Sequence, residues 1–277
     1  MGRTAAIFAI LALTSAATAE AAPRRIVSIN LCADQLALAL ADPGQIVGLS
    51  AYAHDAGMSF LVEKARAYPE TPGNAEAVYA LKPDLVLSGS FSNPLTNAFL
   101  AGRGIETMVL EPVNSFADMR RQVRAVAAAV GQPERGEAML ADLDAAIARA
   151  AAVRPDRPLK AVSLSRRGWV SGPATLESDV LAAVGIENAA GALGIAEFGG
   201  MVGLEPLVAS RLDAIVVESE SIVAEDQGTA LLEHPALADA YPPSRRIVVP
   251  GPLTLCGGPG VIAALDRLAG EVAALRR

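Results

Sequence analysis

The sequence predicts an α/β protein of two similar lobes with parallel sheets, joined by one long, rigid α-helix. Strand-like apolar runs alternate with helical patterns along the whole chain, which is typical of parallel sheets covered by helices. A three-residue pattern also occurs twice, 129 positions apart, as Glu76, Ala80 and Asp84 and then as Glu205, Ala209 and Asp213.

The repeated pattern predicts one exposed carboxylate on each lobe. In each copy the Glu leads a short amphipathic helix, and the Asp follows a tight turn and opens an apolar run, at 85–87 or at 214–217. Two copies of this unit should place the two glutamates at matched heights. This arrangement indicates a two-lobed binding protein that docks onto a partner with two basic sites.

The remaining elements follow the same order in both halves. The second half even repeats the Arg-Arg-Ile-Val segment of 24–27 at 245–248. Strands are predicted at 26–29, 46–49, 85–87, 107–110, 159–164, 214–217 and 247–249, with helices at 35–40 and 116–130.

The segment 133–153 is predicted to be the helix between the lobes. Leu140, Leu143, Ile147 and Ala151 fall on one face, and within the segment no glycine follows Gly136. A helix of this length spans ~30 Å, which suits a stiff rod. The expected organisation is an N-terminal lobe at 20–131, a linking helix at 132–154 and a C-terminal lobe at 155–277.

Residues 1–19 have the pattern of a secretory signal peptide. Arg3 precedes an apolar run at 7–13, and small residues at 17–19 predict cleavage before Glu20. The apolar run is shorter than the ~20 residues that span a bilayer. The mature protein is therefore expected to be exported and soluble.

The charge of the chain argues against nucleic acid or an anionic membrane as the main partner. The net charge is −7, and the basic pairs are dispersed along the sequence, whereas both partners require clustered cations.

Four segments carry a resemblance to a known family. They are Arg25–Asn30, Glu76–Ser88 with its Leu-Lys-Pro-Asp turn, Ser171–Leu176 followed by Asn188, and His234–Leu237. In their order and spacing, the chain from Arg24 onwards resembles the periplasmic substrate-binding proteins of ABC importers for vitamin B12, iron–siderophores and haem. The resemblance implies two Rossmann-like lobes, a periplasmic location, a monomer and no intrinsic cofactor. It also implies that the cargo is a ferric chelate, corrinoid or haem.

The resemblance gives the two glutamates a specific role. In the family, a glutamate on each lobe pairs with arginines on the two subunits of the permease dimer, and Glu76 and Glu205 match those positions. The alternative for either residue is a glutamate favoured by the helix dipole, which contributes only ~0.3–1 kcal/mol.

The ligand is expected beyond the carboxyl ends of the strands, in loops 30–34, 52–55, 88–93, 165–171, 196–201, 218–221 and 250–258. Trp169 follows two arginines, a combination that suits a flat or anionic ligand, although Trp169 could equally pack at a lobe edge. The ligand-binding candidates are Asn30, Cys32, Tyr52, His54, Arg166, Trp169, Phe198 and Cys256.

The two cysteines follow strands of opposite lobes and should face each other across the cleft. A Cys32–Cys256 disulfide is the favoured interpretation for an exported protein. Thiolates that bind a soft metal ion are an alternative, and a cysteine nucleophile is less favoured because no His is placed as its base.

Two other functions remain open. A free-metal-ion receptor of the same fold would have only His54, Asp55, Glu218 and Cys32 to offer, so no metal site is predicted. An enzyme on a two-lobed α/β scaffold is also possible. However, the chain has no G-x-S-x-G, no G-x-G-x-x-G after a strand and only two histidines. No catalytic residue is therefore predicted.

Overall fold

The computed structural model describes residues 22–219 and 228–275, so the predicted signal peptide lies outside the described residues. The predicted fold class is confirmed: two Rossmann-like α/β lobes with parallel sheets are joined by a long helix. The elements of the first lobe are β1 (Ile26–Ser28), α1 (Leu31–Leu40), β2 (Ile46–Ser50), α2 (Val62–Ala65), β3 (Glu70–Thr71), α3 (Ala75–Ala80), β4 (Leu85–Gly89), α4 (Pro94–Ala101), β5 (Glu106–Leu110) and α5 (Phe116–Ala129).

The linking helix α6 spans Pro133–Ala152, and the second lobe follows it. Among the described residues, no helix is both long and apolar enough to cross a membrane. The elements of the second lobe are β6 (Leu159–Ser163), β7 (Trp169–Ser171), α7 (Leu176–Ala183), β8 (Ile186–Asn188), β9 (Gly199–Met201), α8 (Leu204–Ala209), β10 (Ala214–Val217), α9 (Pro235–Ala240), β11 (Arg246–Val248) and α10 (Pro259–Leu275).

Each lobe is built on one parallel sheet. The strand order is β3-β2-β1-β4-β5 in the first lobe and β11-β10-β6-β8 in the second, while β7 and β9 form a separate antiparallel ribbon. The strands β4 and β10 are buried along their whole length. Burial on both faces explains why their sequences are continuous apolar runs rather than alternating ones.

The sheet order corrects one sequence match. The strand β1 pairs with β2 on one side and β4 on the other, whereas β11 lies at a sheet edge and pairs with β10. The position of β1 is occupied in the second lobe by β6, which lies between β10 and β8. The repeated Arg-Arg-Ile-Val segment therefore precedes strands that are not equivalent.

The repeated aspartates have equivalent structural roles. The Asp84 carboxylate accepts hydrogen bonds from the backbone N–H groups of Arg24 and Arg25 at 2.8 and 2.9 Å, and the Asp213 carboxylate accepts one from the N–H of Lys160 at 2.8 Å. Each Asp thus ties the start of its own strand to the start of the neighbouring strand. The turns before them also match, because Lys82 and Arg211 both have φ of +49°.

The helix α6 packs against α5 and α10. Its buried residues include Leu140, Leu143, Ala146 and Ala150. The predicted face is therefore wrong at its end, because Ala151 is exposed and Ile147 is only partly buried. One cluster of buried apolar side chains runs without a break through both lobes, from β1 and α1 across α6 to α7, β10 and α10.

Candidate functional site

Two adjoining cavities lie between the lobes, where strands of both sheets end. Their volumes are about 260 and 340 Å³, and they share Val113, Leu176, Thr254 and Leu255 as lining residues. This is the position that parallel sheets offer to ligands.

The first cavity is formed mainly by loops of the first lobe. It is lined by Asn30 after β1, by Ser90 and Phe91 after β4, and by Glu111 after β5. Asn30 caps α1, since its Oδ1 accepts hydrogen bonds from the N–H groups of Cys32 and Ala33. The helix therefore begins four residues earlier than predicted. The Asn30 amide also lies close to Gly89, since a Cβ atom on this glycine would be 2.5 Å from Asn30 Nδ2.

The second cavity is formed mainly by the second lobe. It is lined by Trp169 on β7, by Ser165 after β6, by Glu177 in the first turn of α7 and by Glu218 after β10. The Ser165 hydroxyl donates a hydrogen bond to the Glu218 carboxylate at 3.1 Å.

The motif around 171–176 is held in place by Asn188. The Asn188 amide donates hydrogen bonds to the backbone oxygens of Ser171 and Gly172, both at 3.1 Å. This contact explains why an asparagine follows the motif at a distance in sequence. Its role is to shape the loop that lines the second cavity.

The structure brings together four of the eight predicted ligand-binding residues. Asn30, Cys32 and Cys256 line the first cavity and Trp169 lines the second, whereas Tyr52, His54, Arg166 and Phe198 line neither. Tyr52 and Phe198 are 54% and 56% exposed. The Nε2 atom of His54 is buried and makes no hydrogen bond.

Several lining residues were not singled out from the sequence. Phe91, which is 90% exposed, lies in the predicted loop 88–93, and a large apolar side chain shortly after a predicted strand is a signal that the sequence contains. Glu111 directly follows a predicted strand, so the strand-end rule could have found it. Glu177 lies on a helix and carried no such signal.

A disulfide that lines the first cavity joins the two lobes. The Cys32–Cys256 bond connects the first turn of α1 to the residues before α10, across 224 positions of sequence. Both sulfurs are bonded to each other, so neither is available as a metal-binding or nucleophilic thiolate.

Two further contacts connect the two lobes. The Asp179 carboxylate of the second lobe accepts a hydrogen bond from the N–H of Phe116 at 2.8 Å. Gly257 approaches Val113 so closely that a Cβ on the glycine would lie 2.5 Å from a Val113 methyl carbon. These contacts and the shared apolar core favour a preformed cleft with little relative motion of the lobes.

Asp34 is a fully buried carboxyl group in α1. Burial is the main influence on it and raises its pKa from 3.8 to about 7, although hydrogen bonds from Ser50 and Ser28 partly oppose the effect. The Ser50 hydroxyl lies 2.5 Å from Asp34 Oδ2, and the Ser50 N–H donates to Oδ1 at 3.2 Å.

The variant Asp34→Asn should lose a pH dependence that the wild-type protein shows. The raised pKa means that the folded chain binds the proton more tightly than the unfolded chain. The free energy of unfolding should therefore fall as pH rises between 3.8 and about 7, with a slope of up to about 1.4 kcal/mol per pH unit. Urea titrations across this window measure the slope. Equal slopes in the two proteins would contradict the assignment.

The two repeated glutamates have equivalent local positions. Glu76 and Glu205 are each the second residue of a six-residue helix, α3 or α8, and both are exposed. Asn74 caps α3 with its side chain, whereas Gly203 precedes α8 without a side-chain cap.

Within the described residues, no group of three or more His, Cys, Asp or Glu side chains is placed to hold a metal ion. His234 has a structural role, because its Nδ1 accepts a hydrogen bond from the N–H of Ala236 and caps α9.

Two parallel-sheet lobes with cavities between their strand ends define a two-lobed solute-binding protein. The model of the periplasmic binding protein family matches residues 26–241, and the chain belongs to that family. A comparison with curated proteins finds no match.

Solved structures of similar proteins share this fold. The periplasmic heme-binding protein RhuT from Roseiflexus sp. RS-1, in apo form, is 27% identical with a TM-score of 0.75, over 92% of this chain and 99% of that one. The heme binding protein HmuT is 25% identical with a TM-score of 0.69, over 90% and 84% of the two chains. BhuT in complex with two hemes is 22% identical with a TM-score of 0.71, over 91% and 100%, and supports the fold alone.

Proposed function

We propose that this protein captures a metal-bearing small molecule in the interlobe cleft and delivers it to an ABC transporter permease. The cargo is a ferric siderophore, a corrinoid or haem. The main support is the pair of adjoining cavities at the strand ends of two lobes, in a chain of the periplasmic binding protein family. Taken together, the cavities fall within the ~300–1,000 Å³ of small-molecule sites.

The comparisons support the class of cargo. RhuT and HmuT, which are at least 25% identical to this chain over most of their length, are named for heme binding. Both relatives and the family are binding proteins rather than enzymes, and a receptor needs no catalytic residue.

The proposal includes the route and the docking mode. The chain is exported with residues 1–19 as its signal peptide, and the mature monomer consists of lobes 20–131 and 155–277 on either side of the linking helix 132–154. Glu76 and Glu205, exposed at equivalent helix positions, contact basic residues on the two permease subunits.

Protein purified from its own periplasm should carry a haem, corrinoid or ferric-chelate absorption band. If the purified protein carries no ligand, its melting temperature can be measured with each of the same three classes of compound. A ligand that binds the folded form raises the apparent stability of the protein. Tightly bound bare zinc or manganese would favour a free-metal-ion receptor instead. Failure of every metal compound to raise the melting temperature would contradict the proposal.

A further inference from the structure

Three carboxylates line the two cavities, and they come from both lobes. Glu111 belongs to the first cavity, and Glu177 and Glu218 belong to the second. Glu111 and Glu218 are exposed, and Glu177 is partly buried. An ionised carboxylate only accepts hydrogen bonds, so these side chains favour a ligand that offers donors or positive charge.

Two hydroxyl groups of the lining also offer acceptors, because their donor hydrogens are used within the protein. The hydroxyl of Ser165 donates to Glu218 at 3.1 Å, and that of Thr175 donates to the backbone oxygen of Gly172 at 2.7 Å. The Gln122 amide donates one of its two N–H groups to the backbone oxygen of Glu111 at 2.7 Å, and its carbonyl oxygen is a further acceptor. The oxygen atoms of these side chains keep lone pairs for a ligand.

The described residues that line the two cavities include no Lys, Arg or His. Arg166 and Arg167 are exposed and line neither cavity. An anionic ligand would therefore meet carboxylates in a partly desolvated cleft, where like charges repel more strongly than in water.

We propose that the cargo is a metal chelate without net negative charge whose periphery carries N–H or O–H donors. This inference rests on the proposed function and narrows its substrate class. An uncharged or cationic hydroxamate chelate fits this chemistry, as does a corrin with amide side chains. Trp169, Phe91 and the disulfide provide apolar contacts. This cargo differs from the ligand for which RhuT and HmuT are named, since haem carries two anionic propionates.

Two series of compounds separate charge from shape. Ferrioxamine B is cationic, its N-acetyl derivative is neutral and its N-succinyl derivative is anionic, with one common hydroxamate core. Cobinamide and cobyrinic acid similarly share a corrin but carry amides or carboxylates. At least one of the two series should bind. Within that series, we expect the dissociation constant of the cationic or neutral member to be about tenfold or more below that of the anionic member. The difference should shrink as salt is raised.

Variants test which side chains set this preference. One variant combines Glu111→Gln, Glu177→Gln and Glu218→Gln. In this variant the dissociation constants of the anionic and the cationic or neutral members should differ by only about threefold or less, because glutamine keeps the shape of glutamate and removes its charge. Glu134→Gln, at an exposed position on the linking helix, is the matched control and should leave the preference unchanged. Arg166→Gln with Arg167→Gln should also leave it unchanged.

The outcomes distinguish this inference from the proposed function. Tighter or equal binding of the anionic members would overturn the inference, as would haem binding at least as tight as that of the best chelate. Loss of anionic binding in the double arginine variant would show that the arginines hold an anionic cargo. In these cases the receptor function stands. If no haem, corrinoid or ferric chelate binds at all, both fail.

Discussion

Replacing Glu76 and Glu205 with lysine should abolish uptake of the cargo while leaving the affinity of the purified protein for it unchanged. Both glutamates are exposed in the first turns of equivalent helices, and neither lines the two cavities. In the proposed docking mode a lysine at either position would face basic residues of the permease, and like charges at an interface are strongly unfavourable. Uptake by cells that carry the cognate permease, measured beside ligand titrations, tests both parts.

A matched control separates docking from helix stability. Glu134 is exposed and also lies in the first turn of a helix, α6. Glu134→Lys therefore removes an equivalent favourable interaction with a helix dipole, but at a position outside the proposed docking pair. It should leave uptake near the wild-type level. Loss of ligand binding in the Glu76 and Glu205 variants would contradict the docking assignment.

Removal of the disulfide should cause a large loss of stability. The Cys32–Cys256 bond closes a loop across 224 positions, for which the loop-entropy model gives about 5 kcal/mol. The double variant Cys32→Ser with Cys256→Ser should therefore unfold at a much lower urea concentration than the wild-type protein. The midpoint and the slope of the urea titration together measure the loss.

Reduction provides the control for this prediction. A reductant should destabilise the wild-type protein, but the double variant should not respond to it. A free-thiol count on native wild-type protein should find no free cysteine, in agreement with the bond in the structure. A midpoint that does not move when the wild-type protein is reduced would contradict the prediction.

The fold was predictable because its central strands are buried on both faces. Strands such as β4 and β10 appear in the sequence as unbroken apolar runs, and the spacing of Glu76 and Glu205 revealed the repeat. The identical segments 24–27 and 245–248 do not precede equivalent strands, because a four-residue sequence does not determine the position of a strand in its sheet. The strand β11 lies at a sheet edge, whereas β1 is central.

The site was predictable only in part. Asn30 directly follows a predicted strand and Trp169 lies in the predicted loop after another, so the strand-end rule found both. Glu177 reaches the cavity from a helix of the second lobe, and its position depends on how α7 packs. Nothing local in the sequence records such a tertiary arrangement. Tyr52 and His54 also follow a predicted strand, yet they line neither cavity, because the cleft occupies only part of the sheet edge.

The apolar core that continues through both lobes has a consequence for unfolding. Leu36 and Leu87 of the first lobe belong to the same buried cluster as Leu143 of the linking helix and Val180 and Val216 of the second lobe. Separating the lobes would expose these side chains to water at ~25 cal/mol per Å² of apolar surface. The halves of this molecule thus make up a single cooperative unit, despite their internal symmetry. Either half, produced alone, would expose its share of this cluster to water and should be less stable than it is in the whole chain.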